Sequence, residues 1–142
     1  MDRRIIASLF VLGAGAACAL AEAEPDVEYL KIVTGSSTDT VILTRTGDIT
    51  GELTIPKNIT TNVRALFFRS DSTIETGVTE GSYRLDVLPV EGGVLIFNRT
   101  GAFQGTFDGS ADTLTHVEFT LWRTFDDQSQ VGPYAIPIRI GP

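Results

Sequence analysis

The chain has 142 residues, 42% of them hydrophobic and 20% charged, with one Cys, one His and one Trp. That length suits one hydrophobic core, and a single Cys with a single His excludes disulfide frameworks and Cys/His zinc clusters. The 11 Lys and Arg against 18 Asp and Glu give a net charge of −7, which offers no footprint for nucleic acid or for an anionic membrane surface.

The chain opens with the three-part layout of a secretory signal peptide. Asp2-Arg3-Arg4 supplies the positive start, Ile5–Leu12 the apolar run, and GAGAACALA the small residues before cleavage. The small-x-small rule fits cleavage after Ala21 or after Ala23. The apolar stretch ends at Ala21, short of the ~20 residues a spanning helix needs, so no membrane span is expected in the mature chain. Cys18 follows Ala16 and Ala17, as in a lipoprotein signal, but Gly15 stands where such signals carry a large aliphatic residue. Cys18 is therefore either a lipidation point or a residue discarded with the signal. Cleavage after Ala21 removes two arginines and one aspartate, leaving a mature chain one unit more negative and without any Cys. A small exported domain without Cys points to a bacterial envelope, because eukaryotic exported domains of this size usually carry disulfides. The expected organisation is a signal peptide over 1–21, an acidic linker over 22–28 and one domain over 29–142.

Beyond the linker the pattern is of strands and turns. Val27–Thr34, Thr40–Thr46, Val63–Arg69, Val94–Thr100 and Ala102–Asp108 are rich in the β-branched and aromatic residues that suit a half-buried pleated surface. Strict alternation marks four further strands: Ile49, Gly51, Leu53 and Ile55; Tyr83, Leu85 and Val87; Val117, Phe119 and Leu121; Ile136, Ile138 and Ile140. Turn chemistry separates the runs at Gly35-Ser36-Ser37, Gly47-Asp48, Pro56-Lys57-Asn58, Glu91-Gly92-Gly93, Asp108-Gly109-Ser110 and Gly132-Pro133. Short strands at roughly ten-residue spacing predict an all-β, two-sheet antiparallel β-sandwich of about eight strands, with a barrel as the alternative. Pro137 places the last strand at a sheet border. Gly51 and Gly105 predict bulges or close approach, and the patternless Ser70–Gly81 predicts a crossing between sheets.

Chemistry-bearing residues are few. His116 faces away from the apolar side of its strand and has no nucleophile elbow beside it, so no catalytic residue is assigned and the chain is read as a non-enzyme. No metal or cofactor is called for, although the loop acids, Asp108 and Asp112 among them, leave calcium assistance open. Trp122, Phe125, Asp126, Asp127 and Tyr134 converge by sequence position near one end of the long penultimate strand. Aromatics beside acids suit a protein partner or the face of a sugar ring, and these five residues form the candidate binding set.

In order, TGDITGELTIP, VRALFFRSD, YRLDV, NRTGAFQGTFDG, LTHVEFTLWRTFDD and YAIPIRI resemble the bacterial Ig-like domains of exported surface and envelope proteins. The resemblance spans roughly Val27–Ile140 and rests on strand pattern and turn placement. It implies an Ig-like sandwich acting as a non-catalytic binding or structural module in the periplasm or at the cell surface. The expected partners are an envelope protein or, alternatively, a polysaccharide bound with calcium assistance.

Overall fold

The computed structural model describes residues 25–35 and 39–142. The signal segment with both cleavage sites, Cys18, and Ser36 and Ser37 of the expected first turn lie outside the described residues. Ten strands follow in chain order: β1 (Tyr29–Thr34), β2 (Thr40–Thr44), β3 (Ile49–Thr50), β4 (Leu53–Pro56), β5 (Thr61–Phe68), β6 (Tyr83–Pro89), β7 (Leu95–Gly101), β8 (Gln104–Gly109), β9 (Thr113–Arg123) and β10 (Gln128–Gly141). They form a six-stranded sheet in the order β3-β2-β1-β5-β8-β7 and a four-stranded sheet in the order β4-β10-β9-β6. Pairing is antiparallel except between β4 and β10, which run parallel. Among the described residues no helix is long and apolar enough to cross a membrane.

Alternation explains the two layers, because one face of each strand must be removed from water. Leu30 and Ile32 of β1, Phe107 of β8 and Val117, Phe119 and Leu121 of β9 all lie at or below 2% exposure. Phe107 is the largest of the fully buried side chains and meets Phe97 of β7 with ring centroids 5.4 Å apart. Val27 is also buried, and the Glu28 amide donates to the Phe68 carbonyl at 2.8 Å, so packing begins inside the segment read as a linker.

Ten strands appear rather than about eight partly because the run Ile49–Ile55 is cut in two. Gly51 has φ +97°, and a Cβ there would lie 2.3 Å from the Thr40 carbonyl oxygen. The chain turns at that point, so β3 pairs with β2 in one sheet while β4 joins β10 in the other. The crossing expected over Ser70–Gly81 is present, leading from β5 in the six-stranded sheet to β6 in the four-stranded one.

Two expectations are corrected in β10. Gly132-Pro133 does not separate two strands: it falls within a register shift against β9, and the strand continues through it. Nor does the whole of Tyr134–Ile140 lie at a border: Tyr134–Pro137 is open on the side away from β9, but from Ile138 onward β10 lies between β4 and β9. Pro137 is accommodated because the ladder with β4 starts only at Ile138, so the missing N–H falls where β10 has no partner on that side.

Candidate functional site

The β9–β10 hairpin brings four of the five sequence-predicted residues together. β9 is long enough to carry the chain past the sheet, and its alternation puts Leu121 in the core and Trp122 on the outer face. Thr124–Asp127 then forms the connection, with Asp127 in the left-handed region at φ 54°. Asp suits that conformation better than most non-glycine residues.

Each acid of the hairpin belongs to an arginine, and each arginine also covers an aromatic ring. Arg123 Nε donates to Asp126 Oδ1 at 3.0 Å, and its terminal nitrogen pairs with Asp126 Oδ2. The same guanidinium lies 4.6 Å from the centre of the Phe125 ring. On the neighbouring strand, Arg84 sits directly opposite Trp122. Its guanidinium reaches Asp127 Oδ1 at 2.8 Å and lies 5.2 Å from the centre of the Trp122 ring. Cation–aromatic contacts of this kind contribute about 0.5–1 kcal/mol at exposed sites.

The electrostatics follow from this pairing. Hydrogen bonding to Arg123 is the main reason the Asp126 carboxyl is held below its ordinary range. Hydrogen bonding to Asp127 raises Arg84 in turn. Asp126 is thus held ionised beside Arg123, and Asp127 is paired with Arg84. A general acid would need the opposite, a raised carboxyl facing a second one.

The aromatics play different parts. Phe125 is 76% exposed, while Trp122 is half-buried beneath Arg84 and its Nε1 is buried without a hydrogen-bond partner. Tyr134 does not join the cluster; it lies opposite Phe119, and its hydroxyl donates to the Arg45 carbonyl at 3.2 Å, tying β10 to the β2–β3 connection. His116 is exposed, as its strand parity requires. Among the described residues no group of three or more His, Cys, Asp or Glu is placed to hold a metal ion. Asp112 pairs with Lys57 at 3.2 Å, and Asp108 accepts from Asn98 at 3.1 Å.

Arg84 and Arg123 are the members of the cluster that the sequence alone does not single out. Arg123 adjoins Trp122 in the chain, so it was within reach of a local reading. Arg84 is 38 positions from Trp122 and enters only through the β6–β9 register. Fold and cluster together define an all-β two-sheet protein with an arginine-braced aromatic hairpin. The chain matches no family in the comparison with known protein families, and no curated protein matches it.

Proposed function

We propose that the chain is an exported, Ig-like, non-catalytic binding module of the bacterial cell envelope that contacts another protein through the β9–β10 hairpin. The observation that carries this reading is Phe125, a large apolar ring left 76% exposed yet braced by Arg123, which is itself locked to Asp126. An aromatic anchor already held in place loses little freedom on docking, which is how a few residues dominate an interface. The guanidinium over Trp122 favours a protein over a sugar at this end, because a stacking ligand would have to displace Arg84 from both the ring and Asp127. Export is supported by the N-terminal signal layout and the Cys-free mature sequence.

The test is site-specific photo-cross-linking in intact cells producing the full chain, with a photoreactive phenylalanine analogue at position 125 and, separately, at Ile59. Ile59 is also exposed, at 58%, and lies outside the hairpin. Position 125 is expected to give a discrete adduct containing one envelope protein, which Ile59 does not give. Equal adducts at both positions, none at 125, or adducts with cytoplasmic proteins alone would overturn the reading.

A further inference from the structure

We infer that the outer face of the six-stranded sheet binds a glycan whose negative charge is carried by carboxylates, at a groove centred on Lys31 and Arg64. The groove has a volume of about 600 Å³, and its lining includes Lys31, Arg64, Asn62, Leu66, Phe68 and Gln104 and no acidic residue. That volume lies within the range of small-ligand sites.

The distribution of cations points to the ligand's charge. Among the described residues, Arg45, Lys57, Arg69, Arg84, Arg123 and Arg139 each pair with an acid. Arg99 donates to the Ala102 and Leu85 carbonyls. Lys31 and Arg64 remain without an acid partner among the described residues, in a chain where acids outnumber bases by 18 to 11. They are also neighbours: Lys31 lies opposite Leu66 and Val33 opposite Arg64, so the two cations are a diagonal cross-strand pair about 7–8 Å apart at the backbone. Two adjacent like charges without a counter-charge are unfavourable alone, and an anion seated across both removes that cost.

The same groove indicates a glycan rather than an acidic peptide. β1 lies between β2 and β5, and β5 between β1 and β8, so no free strand edge is offered at the centre of the groove for a peptide to extend the sheet. Nor is the lining the apolar trough an amphipathic helix needs. Recognition must come from side chains, and Asn62 and Gln104 supply amide donors and acceptors of the kind that hydroxyls use. Phe68 adds a flat apolar floor, stacked on Tyr29 with centroids 4.9 Å apart and ring planes 5° from parallel. An apolar ring beside polar and cationic groups suits a sugar with one face of C–H bonds and a carboxylate at its rim.

The experiment is affinity electrophoresis of the full chain in gels containing polygalacturonate, methyl-esterified polygalacturonate or poly-glutamate. Polygalacturonate is expected to retard the chain, with retardation fading as salt rises, while the esterified polymer and the polypeptide do not. Lys31→Gln and Arg64→Gln should each weaken binding about tenfold, and Arg64→Lys, which keeps the charge, should retain most of it. Matching thermal melts establish that the variants fold. Phe125→Ala should bind polygalacturonate as the parent does, which separates this site from the hairpin. Absence of retardation by polygalacturonate, equal retardation by poly-glutamate, or parental binding by a folded double variant carrying Lys31→Gln and Arg64→Gln would each overturn the inference.

Discussion

Replacing Glu75 with Gln should cost the fold about 2 kcal/mol at pH 7 and much less at pH 2. Glu75 lies in the crossing from β5 to β6 and is 5% exposed. Its carboxylate accepts from Arg69 Nε at 2.7 Å, from a second Arg69 nitrogen at 3.2 Å, and from the amides of Gly77 and Asp26 at 2.8 and 3.2 Å. Those bonds, the Arg69 pair foremost, lower its pKa from 4.5 to about 2, against the opposing effect of burial. A depressed carboxyl adds stability that is fully present above the unfolded value and lost as pH falls through the folded one, so the window runs from about 4.5 down to about 2. The whole shift corresponds to about 3 kcal/mol; screening around half-exposed Arg69 reduces this to about 1–2 kcal/mol. Gln keeps the shape but presents an NH2 group to a ring of donors, which adds to the loss at neutral pH. Urea unfolding followed by circular dichroism at pH 7, 4 and 2 gives the comparison. A gap between parent and variant that is equal at pH 7 and pH 2 would refute the assignment of an ionised, fold-stabilising Glu75.

Gly51→Ala should destabilise by about 2–4 kcal/mol, since the new Cβ would lie 2.3 Å from the Thr40 carbonyl at a backbone angle that disfavours side chains; an unchanged urea midpoint would contradict the sheet-switching turn. Phe107→Ala should cost about 3–5 kcal/mol by emptying the space of the largest fully buried side chain, and a loss below ~1 kcal/mol would mean that this site is not the packed centre. Trp122→Ala should lower stability by about 1–2 kcal/mol by removing the surface beneath Arg84, whereas Phe125→Ala should cost about 0.5 kcal/mol, the low end for an exposed cation–aromatic contact. Thermal melts of the two variants side by side decide between them, and the reverse order would exchange their roles.

The layers were legible in the sequence because burial acts on every second residue, and that period survives without knowledge of which strands meet. β6, β9 and the latter half of β10 follow from alternation alone. What alternation does not encode is the partner of each strand. Ile49–Ile55 reads as one strand because its apolar residues keep their alternation across Gly51, yet Ile49 is 39% exposed while Leu53 and Ile55 are fully buried, and the close Thr40 carbonyl and the positive φ mark where the chain changes sheets. Pro137 misleads for a related reason: a missing N–H requires an absent partner at one residue, not along the whole strand, and β4 is short enough to satisfy that locally. The hairpin acids illustrate the same limit in charge. Their sequence position is evident, but their neutralisation by Arg84 and Arg123 depends on cross-strand register and turn geometry.

A net charge of −7 is a sum, and the fold sets where it is locally offset. Pairing within the structure cancels most cations close to their own acids, so the uncompensated charges determine the outer field. Among the described residues, acids without a cation partner flank both sheets: Glu80, Glu91 and Glu118 lie on or beside the four-stranded one, and Glu28, Asp39, Asp48 and Asp108 on or beside the six-stranded one. Lys31 and Arg64 lie on the outer face of the six-stranded sheet, in a groove whose lining holds no acid. An anionic polymer seated in the groove would be held by that local pair of cations rather than by a field across the whole molecule. The Phe125 hairpin grows from the opposite sheet, so a protein held there and a glycan held on the six-stranded face would not compete for the same surface. The acidity that argues against nucleic acid at the level of composition thus leaves room for an anionic ligand, because a local pair of unmatched cations acts at a range shorter than the distance over which the remaining charge is averaged.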